Sequence, residues 1–356
     1  MKKALIAMSG GVDSSVAAKI MSDRGYQCTG CTMKLYPGTE ERQPADPSQT
    51  AAEETHDAVQ IAKRLSMPFY IYDLSDVFDE EVIRPFISNY IHGKTPNPCV
   101  RCNRFLKFGS LLKKADELQC DTLVTGHYAR ISYNGSEFEL KKALDQTKDQ
   151  SYVLYALTQK QLAGVAFPLG ELSKKEVRRI AEDCGFINAN RPDSQDICFI
   201  PDGDYAGYIE KTLKKRFPPG DFISPEGKVL GQHRGIIHYT VGQRRGLGVS
   251  AGSPLYVRSI NTESNTVTLV EESGLMVQTV IADDVNIISG KALAQPIRAE
   301  VKLRYRQPQQ PALVWQEEGR LVIRFNHPLR APAPGQVAVV YQGDTVIGGG
   351  TIIDSK

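Results

Sequence analysis

The sequence predicts an α/β domain built on a parallel sheet, then a small central part, then a β-rich C-terminal part that closes as a small barrel or sandwich. Three observations predict this. Over the first half, short apolar strand patterns alternate with helical ones, the order that sets parallel strands under crossover helices. Near residue 205 the alternation gives way to a stretch rich in Gly and Pro. From about residue 255 only strand patterns remain, at the spacing of short strands in a compact β domain.

Taken in order, KALIAM reads as a short apolar strand and SSVAAKIMSDRG as a helix ended by Gly25. YQCTGCTMKL is the second strand, and residues 37–50, with Pro37, Pro44 and Pro47 among charges, read as a mobile loop inserted after it. In TAAEETHDAVQIAKRLSM, Ala58, Ile61, Ala62 and Leu65 fall on one helical face. PFYIYDL is then a strand, and DTLVTGHYA another after an intervening helical segment. DYAGYIEKTLKKRF reads as a further helix, with short strands between Pro218 and Pro254. The terminal strand patterns are PLYVRSINTESNTVTLVEE, IRAEVKLRYR, ALVWQEEGRLVIRF and GQVAVVYQGDTVIGGGTI. There is no internal repeat.

At 356 residues the chain suits two or three domains, and 43 basic against 41 acidic side chains leave a net charge of only +2. Contact with nucleic acid must therefore come from local clusters, namely residues 174–179, 211–217, 243–246 and 302–307. Each alone reads as a solvated face; together they suit RNA phosphate. The N-terminal lysines precede an apolar run too short for a secretion signal, and no stretch reaches the ~18 apolar residues of a membrane span. Seven cysteines without an export signal imply a reducing, cytoplasmic setting.

Two stretches carry chemistry. SGGVDSS, Ser9 to Ser15, lies between the first strand and the first helix, where Gly10 and Gly11 let backbone N–H groups converge at a helix N-terminus. Such a site favours phosphate or pyrophosphate, with Ser9, Ser14 and Ser15 as hydroxyl donors. It is neither a Walker A loop nor a dinucleotide G-x-G-x-x-G. Asp13 beside a phosphate site needs a bridging cation, which makes it a candidate Mg²⁺ partner.

The other stretch is TPNPCVRCNRFLKFG, with Cys99 and Cys102 in C-x-x-C spacing. The spacing alone fits half of a zinc site, a redox dithiol or part of an active site. Zinc would need a second ligand element, and only Cys28 and Cys31 offer one. Those two sit on a predicted strand, where an x-x spacing points them to opposite faces as core residues. Cys120 and Cys184 end helical segments and read as structural.

SGGVDSS resembles the PP-loop of the ATP pyrophosphatases, which split ATP into AMP and pyrophosphate and pass AMP to a substrate oxygen. TPNPCVRCNRFLKFG, TGHYAR, KDQSYVLYAL, FPLGELSKKEVRRIAEDCGF, DSQDICFI and YTVGQRRGLG follow in that order. The whole set resembles the bacterial tRNA-specific 2-thiouridylases, from the first strand to the last. The resemblance implies a PP-loop domain of the adenine nucleotide alpha hydrolase type over residues 1–205. It implies a small central domain over 206–275 and a tRNA-binding β-barrel over 276–356. It further implies ATP and Mg²⁺, and sulfur placed on C2 of the wobble uridine of the Lys, Glu and Gln tRNAs. The sulfur donor would be a cysteine desulfurase or a relay protein.

By the same resemblance, Ala7, Met8, Ser9, Gly10, Gly11, Val12, Asp13 and Ser14 hold ATP, with Met33 and Gly126 at the adenosine. Cys198 carries a persulfide, Cys102 releases its sulfur, and Asp13 and Cys99 complete the catalytic set. The tRNA contacts are His127, Lys148, Asp149, Gln150, Arg304, Tyr305 and Gln336, with Asn97, Pro98 and Cys99 at the target base. From residue types alone, Cys198 between Ile197 and Phe199 also reads as a buried small hydrophobe.

Many relatives carry aspartate where Cys99 stands. Cys99, Cys102 and Cys198 together also match three ligands of a four-iron (4Fe-4S) cluster with one open iron, as in related thiolation enzymes. Relay and cluster both stand open here, with the relay as the default. A small-molecule PP-loop ligase needs no paired thiols, and a non-catalytic RNA-binding protein needs no pyrophosphate loop.

Overall fold

The structure is a computed structural model that describes residues 1–36, 51–192 and 197–356, the side chains of 51–54 excepted. The expected loop over 37–50 lies outside the described residues. β1 (Lys3–Ala7) is buried at Ala4, Leu5 and Ile6, as a strand covered on both faces requires. α1 (Val12–Asp23) follows and stops before Gly25, as expected. β2 (Gln27–Lys34), α2 (Ala51–Arg64) and β3 (Phe69–Asp73) come next. Ala58, Ile61 and Ala62 of α2 are buried, and Leu65 just beyond it is half-buried.

The next stretch is helical but not uniformly α. α3 (Ser75–Phe78) and α4 (Arg84–Ile91) flank a π-helical turn. α5 (Pro98–Arg101) runs into a π-helical segment, Cys102–Ser110, and then α6 (Leu111–Glu117).

The single strand expected over DTLVTGHYA is corrected to two. β4 (Thr122–Val124) pairs with β1, whereas β5 (Ala129–Tyr133) pairs with β6 (Phe138–Lys142) in a different sheet. Between them the chain turns so that Gly126 can pass beneath the loop after β1.

α7 (Ser151–Leu154), α8 (Gln159–Ala163), β7 (Val165–Ala166) and α9 (Lys174–Asp183) complete the domain. The parallel sheet has the order β3-β2-β1-β4-β7 and reverses direction of growth between β1 and β4. In open α/β sheets, ligands bind beyond the carboxyl ends of the strands at such a switch point. SGGVDSS and Thr125–His127 both leave the sheet there. Cys28 and Cys31 lie in separate cores on the two faces of β2, as their spacing requires.

α10 (Tyr205–Leu213) leads to a four-stranded sheet of β8 (Gly220–Ile223), β9 (Val229–His233), β10 (Tyr256–Asn261) and β11 (Thr266–Val270). The sequence pattern groups the hairpin from residue 255 with the terminal strands. It pairs instead with β8, because Val267 and Leu269 join the core of Phe222. That core is continuous with Leu5 and Phe86 of the α/β domain.

The last part is a closed barrel. β12 (Met276–Ile287), β13 (Ile297–Lys302), β14 (Gln310–Glu317), β15 (Arg320–Arg330), β16 (Val337–Gln342) and β17 (Thr345–Ser355) run in the order β12-β15-β14-β13-β16-β17, and β17 pairs back to β12. Alternating residues such as Val280, Val301, Val314, Ile323, Val340 and Ile352 fill the interior. The start of β17 also pairs with β6, joining the barrel to the α/β domain through Val346 and Leu140. No helix among the described residues is long and apolar enough to cross a membrane.

Candidate active site

Gly10 takes φ +80°, and Gly11 is the extended N-cap of α1, with no side chain capping the helix. The first-turn N–H groups are left for an anion. Ser14 Oγ donates to Gly11 O (3.0 Å) and accepts from Ser9 N (3.3 Å), while Ser15 Oγ donates to Gly11 O (3.0 Å). Two of the three serines counted as phosphate donors therefore also shape the loop. Asn188 braces it from behind, donating to Gly10 O (2.6 Å) and Ser15 Oγ (3.0 Å). Ala7 and Met8 lead in along β1, with Met8 N donating to Cys31 O (2.7 Å), and half-buried Met33 lies further along β2.

Asp13 projects from the first turn of α1. Its two carboxylate oxygens accept from Lys174 Nζ at 2.7 and 2.8 Å, and Oδ1 accepts from Tyr128 OH at 2.7 Å. The sequence groups Lys174 with a basic face for RNA; the fold turns it onto Asp13 of the loop after β1 instead. The signal was present in Ser173 and Glu176, whose capping box starts α9 and puts Lys174 at its first position. Mg²⁺ is usually held by one or two carboxylates with phosphate oxygens and water. Asp13 fits that part, sharing its oxygens with Lys174.

The thiol segment begins with a cap: Asn97 accepts from Val100 N (3.4 Å), and Pro98 opens α5. This leaves Cys99 exposed, while Cys102 is half-buried at the start of the π-helical segment. Bonding from i to i+5 brings residues five apart near one face, and Lys107 is five residues after Cys102. Asn103 donates to Val153 O (3.0 Å) and Arg101 to Glu81 Oε2 (2.8 Å).

Cys198 is exposed, with Sγ 3.7 Å from Tyr36 OH. Its neighbour Phe199 takes the burial that the apolar flanks imply, packing against Phe78, Phe86 and Tyr208 at centroid distances of 5.7, 5.1 and 5.5 Å. The reading of Cys198 as a buried hydrophobe is thereby corrected.

The three thiols lie close enough in the fold to act on one another's charge. Cys99 touches solvent but has protein on most sides, and that enclosure raises its thiol, with Cys198 adding and Lys107 opposing. Burial pushes Cys102 up to about 12, against the pull of Lys107 and with added repulsion from Cys198 and Cys99. Lys107 Nζ lies 3.4 Å from His127 Nε2, and His127 Nδ1 is 2.7 Å from Thr125 Oγ1. An ammonium only donates, so Nε2 accepts and the ring proton sits on Nδ1. Burial first, and Lys107 second, hold His127 well below its ordinary value.

For a cluster, thiolate is the right donor chemistry. Among the described residues, however, no three His, Cys, Asp or Glu side chains converge as metal ligands. The arrangement as it stands does not fit one.

Several of the expected tRNA contacts are already engaged within the chain. The Asp149 carboxylate accepts from Ala143 N (3.0 Å), Ser151 N (3.2 Å) and Ser151 Oγ (2.8 Å). Gln150 Oε1 accepts from Tyr128 N (3.0 Å), and Tyr305 OH donates to Asp149 O (3.1 Å). Burial raises Tyr305, with Asp149 and Cys99 adding to it. Arg304 is exposed and Lys148 half-buried. His127, only 7% exposed, lies beneath the surface between Phe108 and Phe167. Gln336 Nε2 donates to Thr95 O (2.8 Å) and Pro96 O (3.4 Å).

A parallel sheet with this loop at its switch point and a carboxylate in the loop's helix start defines an enzyme of the PP-loop ATP pyrophosphatase class. Residues 2–202 match the family model described as the tRNA methyl transferase HUP domain. Residues 206–271 match the tRNA methyl transferase PRC-barrel domain, and 277–352 the aminomethyltransferase beta-barrel domain. The tRNA-specific 2-thiouridylase MnmA of Acetivibrio thermocellus is 44% identical over 355 residues, 99% of each chain. That of Clostridioides difficile is 44% identical over 356 residues, 99% of this chain and 98% of its own. The chain belongs to the tRNA-specific 2-thiouridylase family, whose members thiolate tRNA at the expense of ATP. Among solved structures, the U34-tRNA thiolase NcsA from Methanococcus maripaludis with its 4Fe-4S cluster gives a TM-score of 0.36 and 18% identity, over 59% of this chain and 66% of that one.

Proposed function

We propose that the chain replaces the C2 oxygen of the tRNA wobble uridine by sulfur, through adenylation of that oxygen and delivery from a persulfide on Cys198. The observation that carries this reading is that Cys198, far from Cys102 in sequence, lies near enough in the fold for its charge to act on the Cys102 thiol, while Lys107 of the same segment meets His127 next to Gly126 under the loop. The amide-like oxygen of uracil is a very poor leaving group. Its attack on the α-phosphorus of ATP releases pyrophosphate into the loop formed by Ala7 to Ser14, with Met33 and Gly126 at the adenosine. Asp13 would hold Mg²⁺ there, which supplies charge neutralisation to the phosphates.

The terminal sulfur of the Cys198 persulfide then attacks C2, and AMP departs with the oxygen. The Cys102 thiolate attacks the inner sulfur of Cys198, leaving 2-thiouridine and a Cys102–Cys198 disulfide. An external thiol must reduce that bond before the next turnover. The target base leaves its stack to enter beside Asn97, Pro98 and Cys99, at low cost in an anticodon loop.

The remaining contacts are His127, Lys148, Asp149, Gln150, Arg304, Tyr305 and Gln336, over parts bounded at 1–205, 206–275 and 276–356. The substrates are the Lys, Glu and Gln tRNAs, the donor a cysteine desulfurase or relay protein, and the setting the cytoplasm. Single-turnover reaction of persulfide-loaded enzyme with ATP and a tRNA transcript tests this. 2-Thiouridine at the wobble position supports it, and AMP without thionucleoside refutes sulfur delivery.

A second reading, a 4Fe-4S cluster on Cys99, Cys102 and Cys198, has the donor chemistry of three thiols but, among the described residues, lacks the convergence that ligation requires. Anaerobic purification with an iron count and visible spectrum separates the two; iron-free protein with full activity removes the cluster.

A further inference from the structure

Gln336 is assigned to tRNA by resemblance, but both bonds described for its Nε2 go to its own chain, at Thr95 O (2.8 Å) and Pro96 O (3.4 Å). Thr95 N donates in return to Pro334 O (2.7 Å). The contact is tight: a Cβ on Gly335 would stand 3.1 Å from both the carbonyl carbon and the oxygen of Thr95. The central part grips the same residue, with Thr95 Oγ1 donating to Thr240 Oγ1 at 3.2 Å.

The other end of the segment is held as well. Arg104 Nη1 donates to both carboxylate oxygens of Asp284 on β12, at 2.9 and 2.7 Å. The barrel therefore holds residues 95 and 104, and between them stand Asn97, Cys99 and Cys102. Reacting groups displaced by about 1 Å lose rate on the order of a hundredfold, so such a grip has catalytic weight.

We infer that the barrel sets the position of the Cys99–Cys102 segment, with Gln336 as a positioning residue acting through Thr95 and Pro96. The catalytic consequence rests on the proposed sulfur transfer; the mechanical one does not. Gln336→Met keeps the length and neutrality of the side chain and removes the donor. In the full chain without tRNA, amide hydrogen exchange in peptides covering 97–104 is expected to accelerate about tenfold. Single-turnover thiolation at saturating tRNA is expected to fall about tenfold.

Asp284→Ala releases the far grip and is expected to speed exchange in the same peptides, which keeps the test open should Gln336→Met fail to fold. Unchanged exchange in the folded variants overturns the inference. A wild-type chain that never forms 2-thiouridine would remove the proposed function while leaving the exchange result standing.

Discussion

Gly126 lies so close beneath the PP-loop that a Cβ there would stand 2.7 Å from the backbone nitrogen of Ser14. The loops after β1 and β4 meet backbone to backbone at the switch point, and the nearest atoms are main chain that cannot swing aside. Gly126→Ala is expected to displace the phosphate-binding loop and to cut tRNA-dependent pyrophosphate release about ten- to hundredfold. Rapid-quench assay of pyrophosphate checks this, with circular dichroism to confirm that the fold persists.

Lys174 and Asp13 form an ion pair with side chains 11% and 31% exposed. Lys174→Met leaves Asp13 with Tyr128 OH and is expected to cost on the order of 1–2 kcal/mol, less than a fully buried pair because solvent still reaches the carboxylate. The double variant with Asp13→Asn should recover part of that loss without recovering activity. Chemical denaturation of the single and double variants measures the coupling, and additive effects would mean that the pair contributes nothing.

Cys102→Ser and Cys198→Ser are each expected to abolish 2-thiouridine formation, by at least about a thousandfold, while pyrophosphate is still released on mixing with tRNA and ATP. Cys184→Ser, at the C-terminal end of α9, should leave both readouts unchanged. Nucleoside mass spectrometry beside a pyrophosphate assay distinguishes sulfur delivery from adenylation.

His127 gives a pH dependence with a definite sign. Burial holds its folded-state value below the ordinary 6.5, so the ring is neutral in the folded chain and gains a proton on unfolding in mild acid. Its contribution is complete above about pH 6.5 and is lost as pH falls from there toward the depressed folded value, at no more than about 1.4 kcal/mol per pH unit. His233 and His238 are shifted the same way, so the informative quantity is the difference between wild type and His127→Gln. Melting temperatures from pH 7.5 to 5.0 should fall less steeply in the variant.

Features that depend on local pattern were readable in advance. Gly25 ends α1, the loop of Ser9 to Ser15 sits at a strand–helix junction, and Cys28 and Cys31 face apart because strand side chains alternate. What escaped depends on contacts between distant segments. Lys174 finds Asp13 only once α9 lies against α1, so its charge looked like part of a surface cluster. Cys198 is exposed because Phe199 is the residue drawn into the aromatic core, a choice two apolar flanks do not reveal. The break after Val124 follows from Gly126 passing under the PP-loop, which an apolar run cannot signal. The grip of Pro334 and Gln336 on Thr95 joins segments whose sequences give no sign of each other.

The central claim, that this chain forms wobble 2-thiouridine, is met most directly by nucleoside mass spectrometry of bulk tRNA from a strain lacking its gene. Loss of the thionucleoside is expected, with restoration by the wild-type gene and not by Cys102→Ser or Cys198→Ser. Persistence of wobble 2-thiouridine in the deleted strain, with no second copy of the enzyme, would contradict it.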